Sequence, residues 1–188
     1  MASASLPPAE DRTDRLDLYR PVPADVDELF AIGSDPRVWT HYPSLRQTDP
    51  AQSAADVARR TACWEADGLG PWTVRRRGEP GIVGYGGCSV LHGAFWNLGY
   101  RFAVAAQGQG YATEMSRAAI RRAGEVRPDL PVIAYLLEHN LASAAVARKL
   151  GLTLQHRGPD AGNPDPGAVR LVFADRPLDD AQLAAVMR

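Results

Sequence analysis

The residues Gln107-Gly108-Gln109-Gly110 stand between a strand-like run that ends near Val104 and a helical pattern that starts at Tyr111. A strand that turns on glycines straight into a helix leaves backbone N–H groups free, and the positive end of the helix dipole adds to them. Such a corner suits a phosphate or pyrophosphate. Glycine is needed there because it accepts positive φ and places no Cβ in the path of a ligand. Two familiar phosphate patterns do not fit. A Walker loop requires a lysine after its last glycine, and a dinucleotide fingerprint requires a third glycine, in a parallel sheet, where Thr113 stands.

Downstream, Asn140-x-x-Ser143 opens a helical pattern that runs to Leu150 and is ended by Gly151. Asn140 suits an N-cap, with Ser143 at the third helical position. The Ser143 hydroxyl can either cap and pack or donate a hydrogen bond to a sulfur or oxygen atom. No cluster of His, Cys, Asp or Glu has metal-ligand spacing, so no metal is expected.

The elements that must position these groups belong to a chain of 188 residues with 45% hydrophobic and 23% charged residues. That is a globular balance, sufficient for one core without staples. A formal net charge of -1 argues against a general nucleic-acid-binding face. Cys63 and Cys88 make no disulfide framework, and the reduced cytoplasm is the expected compartment. No basic-then-apolar leader is visible, and no run approaches the ~18 apolar residues of a membrane span.

Residues 1–14 read as a flexible arm, 15–177 as a single domain and 178–188 as a tail with helical spacing but little to anchor it. Leu16 and Leu18 alternate as in a short strand. Asp25, Val26, Leu29 and Phe30 suit a helix, and Thr48 or Asp49 with Pro50 opens a second that Gly68 stops. Runs at 72–76, 82–91 and 95–104 have short turn links and predict an antiparallel meander. A helix over 111–125, a buried strand over 132–137, a helix over 140–150 with Val146 and Leu150 inward, and a last hairpin follow. The order predicts an α+β fold with a mixed, mostly antiparallel central sheet flanked by helices. Arg75-Arg76-Arg77 reads as a solvated strand end.

Gln107-x-x-Gly110-x-Ala112, with Gly99-Tyr100 before it and Thr113-Glu114 after, resembles the acetyl-CoA pyrophosphate loop of the GNAT N-acetyltransferases. Asn140, Ser143 and Lys149-Leu150-Gly151-Leu152 resemble the next block of that superfamily. Thr13-Asp14-Arg15-Leu16, Pro23-Ala24-Asp25 and Ser34-Asp35-Pro36 are similar to its RimJ/RimL-like branch. The resemblance implies a GNAT-like acyl-CoA N-acyltransferase fold, with acetyl-CoA as cosubstrate. The acceptor it implies is a primary amine, either a protein N-terminal α-amine or a small molecule such as an amine antibiotic. A homodimer is compatible with it. By the same resemblance, main-chain groups of Phe102, Ala103 and Val104 hold the pantetheine arm. N–H groups of Gln107, Gly108, Gln109, Gly110, Tyr111 and Ala112 hold the pyrophosphate. Asn140 and Ser143 contact the arm, and Ser143 stabilises the departing thiolate.

The chain departs from the superfamily pattern twice. Ala147 stands where many members carry a tyrosine acid, and Asn97 where many carry a carboxylate base. Fallback bases are Glu138, His139 and His92, each more readily read as an ordinary surface or capping residue. An α-amine with pKa near 8 is partly neutral at cellular pH and needs a base less than a lysine does. Glu114, in the first turn of its helix, suits the helix dipole better than a pyrophosphate contact. Trp39, His41, Tyr42, Trp72 and Trp96 are candidates to line an acceptor site between the first two helices and the final hairpin. Because of the two departures, a non-catalytic acyl-CoA-binding module stands as the alternative.

Overall fold

The first five strands form an antiparallel meander, with short links except between the second and third. The computed structural model describes residues 8–187. Strands β1 (Asp11–Arg12), β2 (Leu16–Tyr19), β3 (Trp72–Arg76), β4 (Ile82–Leu91) and β5 (Phe95–Phe102) pair antiparallel in turn. The connection from β5 runs through helix α3 (Tyr111–Val126) and returns to β6 (Val132–Leu137), which lies parallel to β5. A helical crossover is what a parallel return requires. β7 (Thr153–Pro159) and β8 (Val169–Ala174) complete an eight-stranded sheet in the order β1-β2-β3-β4-β5-β6-β8-β7.

Helices α1 (Val26–Gly33) and α2 (Pro50–Asp67) fill the long connection between β2 and β3. Asp49 caps α2 by accepting from the Ala51 N–H, and Gly68 closes it at φ 70°. α4 (Leu141–Lys149) joins β6 to β7, and α5 (Asp180–Val186) follows β8. The main core gathers Leu16, Leu18, Trp72, Val74, Trp96 and Leu98 from the strands with Met115, Ala118 and Ala119 of α3.

The fold class is the one expected, and several local expectations are corrected. The arm expected over 1–14 falls partly on residues 1–7, which lie outside the described residues. Asp11 and Arg12 lie at the sheet edge instead of in a loose arm, because they pair with Leu18 and Asp17. The tail is anchored: α5 sets Ala185 and Val186 against Phe95, Ile133 and Val172, and Arg170 Nη1 donates to the Val186 carbonyl at 2.6 Å. Arg75 is not solvated. Its register opposite Asp17 and Ile82 turns it inward, where it meets the buried Asp25 carboxylate at 2.8 Å. In α4 the buried residues are Ala144 and Ala147, and Val146 borders two cavities instead of the core, whereas Leu150, just past the helix, packs against the core as expected.

Candidate active site

β5 and β6 pair only at Trp96–Val132 and Asn97–Ile133. Beyond Asn97 they part, because β5 follows β4 to Phe102 while β6 follows β8 to Leu137. Two cavities of about 420 and 680 Å³ meet in the wedge between them. His41, Tyr100, Arg101, Asn140, Ser143 and Val146 border both.

The larger cavity ends at the glycine turn. A 3-10 turn over Val104–Ala106 carries the chain off β5, and Gly108 and Gly110 then take φ 74° and 82°. A residue with a Cβ is strained in that left-handed region. Among the described residues, no internal hydrogen bond uses the backbone N–H groups from Gly108 to Thr113. Side chains meanwhile tie back the carbonyls around them. Gln107 Nε2 donates to the Phe102 carbonyl at 3.0 Å, and Gln109 Nε2 to that of Ala105 at 2.7 Å. The result is a row of N–H groups at a helix N-terminus, the arrangement that fits an anionic diphosphate.

Phe102, Gln107, Gly108, Gly110, Tyr111 and Ala112 border this cavity, whereas Ala103, Val104 and Gln109 do not. Ala103 donates its N–H to Val83 and accepts from Ala106, and it packs with Val104 against Ile32, Val38 and Trp39. Asn140 is an N-cap as well as a cavity residue: its Oδ1 accepts from the Ser143 N–H at 3.1 Å. The Ser143 side chain lies beside the Tyr100 phenol. Burial pushes the Tyr100 pKa up, opposed by the neighbouring Ser143 hydroxyl and by the Arg101 charge.

The smaller cavity has a largely apolar floor of Leu98, Ala134, Leu136 and Ala147. His41 and Tyr42 reach it from the α1–α2 connection, and Asp160 to Gly162 from the β7–β8 loop. Trp72 and Trp96, candidates for this lining, are instead fully buried in the core, because strand alternation turns both towards α3 and its neighbours. Trp39 lies beneath the site, stacked on His41 and under the Arg101 guanidinium, 3.8 Å from its ring centre.

Arg101 Nη1 and His41 Nε2 are 2.7 Å apart. Arginine can only donate, so Nε2 accepts and the neutral ring carries its proton on Nδ1. Burial pushes the His41 pKa down to about 4, with Arg101 and His139 adding to the effect. His139 borders the larger cavity, and its Nε2 donates to the His41 carbonyl at 2.9 Å. Glu138 is paired with Arg157 at 2.6 Å, which lowers its pKa and makes it a poor base. His92 sits in the β4–β5 turn beside Phe95 and borders neither cavity. Asn97, at the vertex of the wedge, borders the smaller one.

Sequence reasoning missed the brace on the glycine turn. Glu114 Oε1 accepts from Thr13 Oγ1 at 2.6 Å and the Arg15 N–H at 2.8 Å, while Arg15 Nε reaches Oε2 at 2.7 Å. Burial alone would raise the Glu114 pKa, but these bonds and the Arg15 charge bring it below the ordinary value. The partners lie about a hundred residues apart in sequence, so local spacing carries no signal of them. It missed Arg101 and Tyr100 too, although alternation along β5 places them on opposite faces.

No group of three or more His, Cys, Asp or Glu among the described residues could hold a metal ion, and no described helix is long and apolar enough to cross a membrane. Residues 15–153 match the model of the acetyltransferase (GNAT) domain family. The structure is similar to an acetyltransferase from Agrobacterium tumefaciens str. C58, at 26% identity and TM-score 0.70, over 94% of this chain and 98% of that one. It shares its fold with a Salmonella typhimurium acetyltransferase that modifies the N-terminal serine of the 50S ribosomal subunit protein L7/L12. That pair has 18% identity and TM-score 0.72, over 89% of this chain and 97% of the other. The microcin C7 self-immunity acetyltransferase MccE, solved in complex with acetyl-CoA and AMP, shares the fold at 15% identity and TM-score 0.74, over 90% of this chain and 97% of its own. The family match spans most of the chain and includes the wedge, the glycine turn and the capped helix behind it, and the chain belongs to the GNAT acetyltransferases.

Proposed function

We propose that this enzyme transfers the acetyl group of acetyl-CoA to a primary amine, a protein N-terminal α-amine or a small-molecule amine. The observation that carries the reading is the row of unpaired N–H groups from Gly108 to Thr113, opening on a cavity that reaches Ser143. These amides fit the diphosphate of coenzyme A, and the edge of β5 at Phe102 fits its pantetheine arm as an added strand would. Acetyl-CoA supplies the acetyl group, activated as a thioester.

The chain's own groups then have two protons to manage. Ser143, at the junction of the cavities, is assigned to stabilise the departing thiolate by donating a hydrogen bond to its sulfur, and the thiolate takes its proton from water. A thiol pKa near 8.5 makes the help required modest. Among the described residues no unpaired carboxylate borders the cavities: Asn97 is an amide, Glu138 is held by Arg157, and Asp160 by Arg170. His41 Nε2 is occupied by Arg101. The amine must therefore enter neutral or shed its proton to water, which favours an acceptor of lowered pKa over a free lysine.

Calorimetric titration of coenzyme A into the wild type and Gly110→Val tests the reading. Binding by the wild type and its loss in the variant support it; tight binding retained by the variant shows that the diphosphate lies elsewhere. Release of coenzyme A with a panel of amines and N-terminal peptides then tests turnover, and binding without turnover across the panel favours the non-catalytic module.

A further inference from the structure

Arg101 is a charged group, bordering both cavities of this site, that no acidic side chain of the described residues neutralises. Its guanidinium stacks on Trp39, donates to His41 Nε2 and is flanked by the phenols of Tyr85 and Tyr100. No carboxylate of the described residues pairs with it. The smaller cavity's other groups are balanced or neutral. Asp160 is bonded to Arg170, and the remaining titratable lining of the smaller cavity is His41 and three tyrosines, Tyr42, Tyr100 and Tyr135. In the larger cavity Arg37 is bonded to Asp35, while Lys149 has no carboxylate partner among the described residues and lies on α4, outside the smaller cavity.

Burying a cation without a counter-charge is costly, and proteins keep such an arrangement where a ligand completes it. Stacking on Trp39 and the bond to His41 fix the guanidinium plane, as fork-like recognition of carboxylate or phosphate oxygens requires. The diphosphate already has its own row of amides at the glycine turn. Arg101 stands upstream on β5, on the strand face that also carries Asn97 and Gly99, beside the cavity closed by His41, Tyr42 and the Asp160–Gly162 loop. Arg101 borders both cavities, and an anion that reached it from the smaller one would belong to the acceptor.

From this placement we infer that the acceptor is a small amine that also carries an acidic oxygen group, a carboxylate or phosphate, which Arg101 binds while the amine faces the wedge. The inference rests on the acetyl-transfer reading and narrows it. A cavity of about 420 Å³ accommodates a molecule of amino-acid or amine-phosphate size. A positively charged wall also disfavours an ammonium ion, so a purely cationic polyamine is a poor acceptor and a zwitterion a good one. The same wall favours the neutral amine in a site without a free base.

The test uses matched amines that differ only in the acid, each amino acid against its amide and each amine phosphate against its alcohol. Binding to the coenzyme A-loaded protein is measured by calorimetry and turnover by thiol release. The expected result is at least a tenfold preference for the acidic member, erased in Arg101→Met and partly kept in Arg101→Lys, with coenzyme A affinity unchanged. Equal binding of both members by the wild type overturns the inference, as does a preference that survives in Arg101→Met. Loss of coenzyme A affinity in Arg101→Met overturns it by placing the guanidinium on a cofactor phosphate. A gain for succinyl-CoA over acetyl-CoA that depends on Arg101 overturns it by placing the acid on the acyl group. Turnover without acid preference leaves acetyl transfer standing and removes only this inference; failure of the wild type to bind coenzyme A removes both.

Discussion

The Arg15 guanidinium and the Glu114 carboxylate meet at 2.6 Å and tie the entry to β2 to the first turn of α3. Arg15 also donates to the Gln109 carbonyl at 2.9 Å and lies over the Tyr111 ring, so it touches both ends of the glycine turn. The pair holds the turn with its carbonyls braced and its N–H groups outward. Glu114→Gln keeps the shape but weakens charge-assisted bonds, whose loss costs about 1.5 kcal/mol. The expected outcome is a thermal midpoint lowered by ~3–6 °C. Coenzyme A affinity should fall while affinity for a pantetheine thioester, which lacks the diphosphate, stays the same. Because the Glu114 pKa is lowered on folding, its stabilisation is present above the ordinary carboxylate range and lost as pH falls through the folded value. The midpoint difference between variant and wild type should therefore shrink in acid.

Ser143 borders both cavities, and its backbone N–H is already fixed by Asn140. Ser143→Ala leaves that cap intact and removes only the hydroxyl. Turnover should drop by about 10²-fold, at the lower end for a positioned hydrogen-bond donor to developing charge, with coenzyme A affinity within about threefold of wild type. Steady-state rates beside a calorimetric Kd check this, and unchanged turnover removes Ser143 from the reaction.

His41 carries a folded-state pKa of about 4, lowered first by burial and then by Arg101 and His139. A depressed histidine pKa makes the unfolded chain take up its proton first, between its ordinary value near 6.5 and the folded value. Stability from this residue is thus full above pH ~6.5 and declines as pH falls towards 4. His41→Asn should flatten the fall in thermal midpoint between pH 7.5 and 5. An equally steep fall in the variant would assign the acid sensitivity to other groups.

Signals confined to a few neighbouring residues are legible in the sequence. The glycine turn, the Asp49-Pro50 start and Gly68 end of α2, and the Asn140 cap follow from local backbone requirements, and they appear where the residues place them. What register decides is not legible there. Arg75 belongs to an arginine run that looks like surface, and only its pairing opposite Asp17 on β2 turns it towards Asp25. Arg101 reads as an ordinary strand residue until the α1–α2 connection brings Trp39 and His41 against it. The C-terminal helix has too little apolar surface to announce itself, and it gains an anchor only because Phe95, Ile133 and Val172 meet on one face of the sheet.

The buried Asp25–Arg75 pair gives the sharpest stability test. Asp25 Oδ1 accepts from Arg75 at 2.8 Å, while Oδ2 accepts from Thr73 at 3.0 Å and the Val22 N–H at 3.1 Å. One carboxylate thus joins β3 to the turn that starts α1, and α1 leads into the segment bearing Trp39 and His41. Arg75 Nε and Nη1 have no hydrogen-bond partner, so the guanidinium depends on Asp25 for its charge balance. Asp25→Ala would strand a buried cation and open two further donors, a change that costs roughly 3–5 kcal/mol. For a chain of this size that is a fall in thermal midpoint of about 10 °C. Pairing it with Arg75→Met removes the stranded charge and should recover part of the loss, since a buried ion pair replaced by apolar side chains is often neutral. Thermal melts of the two single variants and the double variant decide the point: a double variant no more stable than Asp25→Ala would mean that the bonds to Thr73 and Val22, not the charge on Arg75, are what Asp25 contributes.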